Sequence, residues 1–351
     1  MTSRLPRYLS ALFLQRLFIT IFGMVTLLGV LDALGNADRL PDGAGFIGQM
    51  KYMVLRMPIL FDRTFVFAIL LAVLLTYASL YRRNELVIIS ASGLSVFGQI
   101  RALAPAVIVV GIVSAVLIDQ VNPIANKTLE NWLGTSALAE NSQTPERMWL
   151  SDGRLLVEVA GMQNERLSGI TIFERDAEGA VVAVTTAEAA NPAAGGWQLE
   201  NAEQQRFDGQ PAVVNTFWPS PQTPDSLRLL LTEPRDLGIA DLLALNRMRG
   251  SGSRPSSAYL LWALHRISLP LAAFAFLILA VPIMQLYGRR DSSDMALAGG
   301  VAGGFIFMVT DGVLKTLAES GSFSAILAVA LPILGLTMTG LWLALGREVQ
   351  K

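Results

Sequence analysis

The sequence predicts an α+β membrane protein, with six transmembrane helices arranged 3+3 around an inserted antiparallel β domain. Two observations carry this expectation. Six apolar runs, roughly Leu9–Leu34, Arg56–Leu80, Phe97–Ile118, Tyr259–Leu286, Met295–Leu317 and Phe323–Leu345, each reach the ~20 residues a helix needs to cross a hydrocarbon core of ~30 Å. Between the third and fourth runs the hydrophobic period changes from helical to near two. Composition agrees: 52% of the 351 residues are hydrophobic and 16% charged, where a soluble domain carries about 25% charged. Mean hydropathy is +0.48. The expected division is residues 1–120 for the first three spans, 121–257 for the β domain with helical or flexible flanks, and 258–351 for the last three spans.

The first run follows Arg4 and Arg7, as a signal peptide would. It is longer than the ~7–15 residues of an h-region and no small-residue cleavage site follows it. It is therefore expected to be a retained first helix. Lys and Arg set the orientation. With a cytoplasmic N-terminus, Arg4, Arg7, Arg82, Arg83, Arg101, Arg289, Arg290, Arg347 and Lys351 all fall on the cytoplasmic side, against Arg39, Lys51 and Arg56 in the first outer loop. Both termini are thus expected in the cytoplasm and the β domain outside it.

In the β segment, Arg154–Ala160 alternates with Leu155, Val157 and Val159 on one face, and Ser168–Glu174 with Ile170 and Ile172. Val181–Glu188, Trp197–Phe207 and Ala212–Trp218 continue the series, separated by turn signals such as Asp176-Ala177-Glu178-Gly179 and Phe207-Asp208-Gly209-Gln210. Short strands at this spacing specify a sandwich, barrel or jelly roll without choosing among them. An open sheet edge can be a self-contained cap or can recruit a partner strand. Asp236–Ser257 returns to helical texture and ends in the Gly/Ser-rich hinge Gly250-Ser251-Gly252-Ser253.

Several function classes are excluded. A net charge of −1 argues against a broadly basic nucleic-acid binder, so no nucleic-acid partner is expected. The absence of cysteine removes disulfides, thiolate zinc sites and thiol nucleophiles, and the single histidine, His265, removes two-histidine metal motifs. No Walker A, G-x-S-x-G or H-E-x-x-H pattern occurs, so no catalytic residue and no cofactor is expected in this chain. The cluster Gly299-Gly300-Val301-Ala302-Gly303-Gly304 fits a close-packing helix face better than a phosphate loop.

The sharpest local signal lies between the second and third runs: Tyr81-Arg82-Arg83-Asn84-Glu85-Leu86-Val87-Ile88-Ile89-Ser90-Ala91-Ser92-Gly93. Its start is too polar for a span. Asn84 can cap a short helix, Glu85 suits its positive end and Gly93 can stop it. A short amphipathic helix at the cytoplasmic face is either a point on which a motor protein pushes or a plain interfacial anchor.

This passage resembles the S-E-L-V-V-M-x-A-S-G stretch of the lipopolysaccharide export permeases, the LptF/LptG family. Trp262-Ala263-Leu264-His265-Arg266-Ile267-Ser268-Leu269-Pro270-Leu271 with Leu279-Ala280-Val281-Pro282 is similar to that family's fourth helix, Gly304-Phe305-Ile306-Phe307 with Asp311 to its fifth, and Pro332 with Leu341-Trp342-Leu343 to its sixth. Glu85-Leu86-Val87 and Asn122-Pro123 look more like the G-type than the F-type branch. The resemblance implies a jelly-roll-like periplasmic β domain, in a non-catalytic permease subunit of an ATP-driven exporter in the inner membrane, which extracts lipopolysaccharide and passes it to a periplasmic bridge. It implies an LptF-like subunit, an LptB-like ATPase dimer that binds the ATP and Mg, and LptC/LptA-like periplasmic jelly-roll proteins as partners. Arg82, Arg83, Glu85, Leu86, Ser92 and Gly93 would couple to the ATPase.

One departure stands out. The G-type pattern has lysines near the outer end of helix one, where this chain has Asp32, Asp38 and Arg39. Counting along the helices, Asp32, Asp62, Arg63, His265, Arg266, Asp311 and Lys315 should all lie toward the outer leaflet, where charge is costly. Asp32, Arg39, Arg63, Arg266, Asp311 and Lys315 are the candidates for a rim that meets phosphorylated headgroups. The alternative is a self-neutralising ring whose cations snorkel to ordinary lipid. For the whole chain, a non-transporting scaffold whose β domain binds an envelope protein is the rival expectation, and an intramembrane hydrolase a distant third.

Overall fold

The computed structural model describes residues 4–41, 45–133, 148–152, 154–163, 165–207, 216–220, 222–247, 254–287 and 293–348. Arg289, Arg290, Lys351, the hinge at 250–253 and most of the expected strand 212–218 lie outside the described residues. The chain forms two compact units, residues 1–126 with 261–351 and residues 127–260.

The first unit holds α1 (Arg4–Gly35), a 3₁₀ turn (Ala37–Arg39), α2 (Gly45–Arg82), the short α3 (Glu85–Ala91) and α4 (Val96–Leu133), the last continuing into the second unit. It resumes with α7 (Ser256–Tyr287), α8 (Ser293–Glu319) and α9 (Ala325–Glu348). Six of these are long and apolar enough to cross a membrane. They outrun the apolar runs: at ~1.5 Å rise per residue, the 32 residues of α1 reach about 48 Å.

α4 differs most from expectation. The third apolar run ends at Ile118, yet the helix runs on to Leu133 with both Pro105 and Pro123 inside it. Pro58, Pro270, Pro282 and Pro332 likewise sit within helices. A proline removes one backbone hydrogen bond and costs about 3 kcal/mol in an isolated helix. Neighbouring helices and Ser/Thr side chains make up the loss when the helix is packed inside a membrane bundle.

α2 and α7 form the centre. Phe65, Ile69, Leu70, Leu74 and Tyr77 of α2, and Leu269, Phe276, Leu277 and Val281 of α7, are fully enclosed. The glycines explain how neighbours come so near. A Cβ on Gly304 or Gly300 of α8 would collide with Leu70 or Leu74 of α2, and one on Gly111 of α4 with the backbone of Pro270 in α7. Gly299 and Gly303 face open space. The glycine cluster therefore does pack helices, but only along its Gly300/Gly304 row.

The second unit carries β1 (Met148–Asp152), β2 (Leu155–Gln163), β3 (Arg166–Arg175), β4 (Val181–Ala193), β5 (Gly196–Glu200), β6 (Glu203–Arg206) and β7 (Phe217–Pro219), then α5 (Pro224–Leu231) and α6 (Ile239–Arg247). The strands form one antiparallel sheet in the order β1-β2-β3-β4-β5-β7, with β6 also on β4. The expected strand Trp197–Phe207 appears as two pieces. Their register on β4 nonetheless continues, with Glu200 opposite Ala189 and Glu203 opposite Thr186. The interruption falls at Asn201, whose φ of 51° is a left-handed conformation that asparagine tolerates and a ladder does not. Alternation delivers Val157, Val159, Ile170 and Ile172 to one buried face. Trp197 and Trp218 stack beside it at 6.5 Å, and Trp197 Nε1 donates to the Gln222 carbonyl at 3.1 Å.

Candidate functional site

The first candidate region is α3 and the residues that hold it. Tyr81 accepts the Asn84 N–H at 2.9 Å, closing α2, and Asn84 turns the chain with φ of 58°. Asn84 caps α3 through its backbone carbonyl, which accepts from the Ile88 N–H at 3.4 Å, rather than from an extended N-cap conformation. At the other end the Ser92 N–H donates to Ile88 and its Oγ to the Ile89 carbonyl at 2.7 Å. Gly93, with φ of 83°, takes the left-handed step that ends the helix. α3 is thus about two turns of helix with sharp stops.

Its two faces differ. Leu86 and Ile89 are buried in the core cluster that also contains Leu9 and Phe13 of α1. Val87 and Ile88 are exposed, as are Arg82 and Arg83 just before them. The Tyr8 hydroxyl of α1 donates to Glu85 Oε2 at 2.6 Å, so the first residue of α3 is tied to the start of α1. Arg16 Nη2 donates to Ser79 of α2 at 3.3 Å one layer further in. Gln285 of α7 donates to Gln99 of α4 at 2.9 Å. Sequence reasoning found the α3 residues but not Tyr8, because a contact between residues 77 apart leaves no local pattern.

The second candidate region is the polar set on α1, α2, α7 and α8. Asp32 of α1 pairs with Arg56 of α2, Nε to Oδ2 at 2.9 Å, and its Oδ1 accepts from Asn36. The Arg56 guanidinium lies 5.9 Å from the Tyr52 ring. Arg56 was expected only as a loop charge. Arg39 is in the 3₁₀ turn, and its side chain lies outside the described residues. Asp311 and Lys315 form the expected i,i+4 pair at 2.6 Å. Lys315 also lies 5.9 Å over the Trp262 ring, and Trp262 Nε1 donates to Glu319 Oε1 at 2.6 Å, which joins α7 to α8. Trp262 meets the His265 ring edge-on at 5.4 Å, and His265 Nε2 is 4.0 Å from Asp62 Oδ1. A polar band therefore runs from α8 across α7 to α2.

Burial separates the band into two kinds of residue. Arg63 is exposed. Asp62 is 3%, His265 9% and Arg266 0% exposed. Arg266 is inside the helix packing and not on an exposed rim, where snorkelling would have put it. An ionised side chain enclosed this way persists only with polar company, which α2 and α7 supply to each other. Trp262 and Glu319 were missed because tryptophan in an apolar run reads as packing and Glu319 as a helix end. Among the described residues no cluster of His, Asp and Glu suits a metal ion.

Comparison with known proteins matches the family described as "Lipopolysaccharide export system permease LptF/LptG" over residues 7–346. Two similar relatives are the lipopolysaccharide export system permease proteins LptG of Escherichia coli strain K12 and of Escherichia coli O6:H1 strain CFT073. Each is 23% identical to this chain over 98% of both sequences. With six membrane-length helices, an inserted antiparallel sheet and this end-to-end match, the chain belongs to the LptF/LptG family of lipopolysaccharide export permeases.

Proposed function

We propose that this chain is the G-type permease subunit of an ATP-driven exporter that extracts lipopolysaccharide from the outer leaflet of the inner membrane. The observation that carries the reading is α3: a short, sharply bounded helix that buries Leu86 and Ile89, presents Val87, Ile88, Arg82 and Arg83 outward, and is tied to α1 through Tyr8. A lever of this kind suits a cytoplasmic ATPase dimer, which brings ATP and Mg; this chain holds no cofactor of its own. The termini are cytoplasmic and the β domain periplasmic.

An F-type subunit pairs with the chain through α1 and α8. Both carry long rows of exposed apolar side chains, including Leu27, Leu31 and Leu34 on α1 and Phe305, Ile306, Val309 and Val313 on α8. The two subunits enclose an outward-opening cavity for the acyl chains. Arg63, Lys315, Asp311 and the Asp32–Arg56 pair stand where phosphorylated sugars would meet the wall. The sheet passes the lipid to LptC/LptA-like jelly rolls by strand addition at an open edge, β1 being bonded only to β2 among the described residues. This chain's contribution is differential affinity for substrate in two states, which is what ties a ligand to a conformational cycle.

Affinity purification of the tagged chain from its native membrane tests this. It should bring down an ATPase, a second 3+3 chain and lipopolysaccharide. Recovery of the chain with an envelope protein alone would replace the proposal with the scaffold. Glu85→Lys should lose the ATPase and keep the second permease chain, since the reversed charge breaks the Tyr8 bond geometry and repels a basic groove. ATPase retained at wild-type level would remove α3 from the coupling role.

A further inference from the structure

A groove between α1, α2 and α4 has no part in the site described above. It has a volume of about 360 Å³. Phe18 and Phe22 of α1, with rings 6.2 Å apart, form one wall. Pro58 and Phe61 of α2 form the floor, and Leu117 and Val121 of α4 the other wall. Apart from Thr26 and Asn122, the side chains that line it are hydrocarbon or thioether. It lies on the side of α2 away from α8: Phe61 faces the groove, and Leu70, which meets Gly304 of α8, is nine residues on, about two and a half turns and so half a turn out of phase. A cavity shared by α1 and α8 with a second permease subunit therefore does not include it.

The geometry points to a seat for one acyl chain of a membrane lipid in this groove, with the chain's ester or amide linkage at Asn122. Three observations fix the occupant. The groove is cut between helices that each have membrane length, at mid-helix positions, so hydrocarbon is the surrounding medium. Its volume holds about twelve groups of water size at ~30 Å³ each, the scale of a lipid chain segment. One turn of a partner helix with its side chains occupies roughly 400–600 Å³, more than the whole groove.

Asn122 supplies the polar end. It is 0% exposed, borders the groove, and neither its Oδ1 nor its Nδ2 has a hydrogen-bond partner among the described residues. An apolar residue would fill this place without leaving an amide unpaired, so its presence marks a partner that arrives from the membrane. The amide stands enclosed at the groove's border, and its Nδ2 is the donor offered to the carbonyl of a chain seated there.

The test uses the full chain in phosphatidylcholine vesicles that contain phosphatidylethanolamine with a diazirine in one acyl chain, and in parallel a diazirine-bearing alkane. After irradiation and digestion, adducts should concentrate several-fold on residues 17–26 and 117–122 over the exposed α9 side chains Met338 and Trp342. Val121→Trp, which fills the groove, should lower groove labelling several-fold with both probes and leave α9 labelling unchanged; Leu117→Phe is the milder second plug. Asn122→Leu should lower labelling by the phospholipid and leave the alkane's unchanged. Equal labelling of groove and α9, or plugs without effect in folded protein, would overturn the proposal. So would loss of the groove adducts in the purified assembly with their retention in the isolated chain, which would assign the groove to a protein partner. Only the membrane location is assumed, so failure to co-purify an ATPase leaves this inference standing.

Discussion

The two units are built inside out with respect to each other. In the helical unit Asp62, His265 and Arg266 are enclosed, and Phe18, Ile47 and Trp342 are 71%, 82% and 73% exposed. In the β unit Trp197 and Trp218 are enclosed, while the Arg166–Glu200 ion pair and the Asn201–Glu188 hydrogen bond stand at the surface. One chain follows one physical rule in two solvents. Where water surrounds the unit, apolar area is driven inward. Where hydrocarbon surrounds it, apolar burial gains nothing and only close packing and polar contacts hold helices together. An aromatic residue is thus informative by its unit: in the sheet it marks the core, and in the helices it marks a face left for lipid or for another subunit.

The largest expected effect comes from the enclosed members of each unit. Trp197→Ala should destabilise the β unit by about 3–5 kcal/mol, read as loss of a protected tryptic core from the purified chain. Trp342→Ala, the same deletion on the outer face of α9, should leave the melting temperature of the detergent-solubilised chain unchanged. A large shift with Trp342 would break the contrast. Asp62→Leu should cost a comparable ~3–5 kcal/mol, since it removes the carboxylate that faces His265 of α7 inside the bundle. Fluorescence-detected size exclusion after heating checks this. Arg266→Ala should behave in the same way, so it cannot serve as a clean probe of headgroup contact, whereas Arg63→Ala combined with Lys315→Ala can. In preparations of matched melting temperature that pair should lower lipopolysaccharide copurified with the assembly, and equal lipid content would make the rim structural.

Gly304→Leu sharpens the account of helix packing. It forces α8 away from Leu70 and should cost about 1–3 kcal/mol, while Gly303→Leu, which meets open space, should be silent in the isolated chain. The smallest effect tests orientation. Gly179→Cys, in the β3–β4 turn of a cysteine-free chain, should react with a membrane-impermeant thiol reagent from the periplasmic side, at a cost of about 1–2 kcal/mol for a side chain at its φ of 90°. Labelling only after the inner membrane is broken would invert the topology.

Much of the site's local chemistry was legible because it is written at short range. The Asp311–Lys315 pair follows from i,i+4 spacing, and the stops of α3 from Asn84 and Gly93. Arg56 with Asp32, Tyr8 with Glu85 and Trp262 with Glu319 were not, since each joins residues on different helices. The continuation of α4 past Ile118 through Pro123 was not legible for a related reason: the local cost of a proline is fixed, but whether neighbours make up the lost hydrogen bond is not a property of the peptide.

The sequence by itself determined the class of this protein, since chain-length runs of apolar residues and a switch to period two have few physical solutions in or beside a membrane. It also determined the strands, because alternation in β2 and β3 leaves only one face to bury. Only the tertiary structure decided which charges are enclosed and which stand exposed. Arg63 and Arg266 are both arginines in apolar helices, and what separates them is which side of its helix meets another. That choice depends on how α2, α7 and α8 pack, through contacts such as Gly304 on Leu70 that no spacing along the chain records.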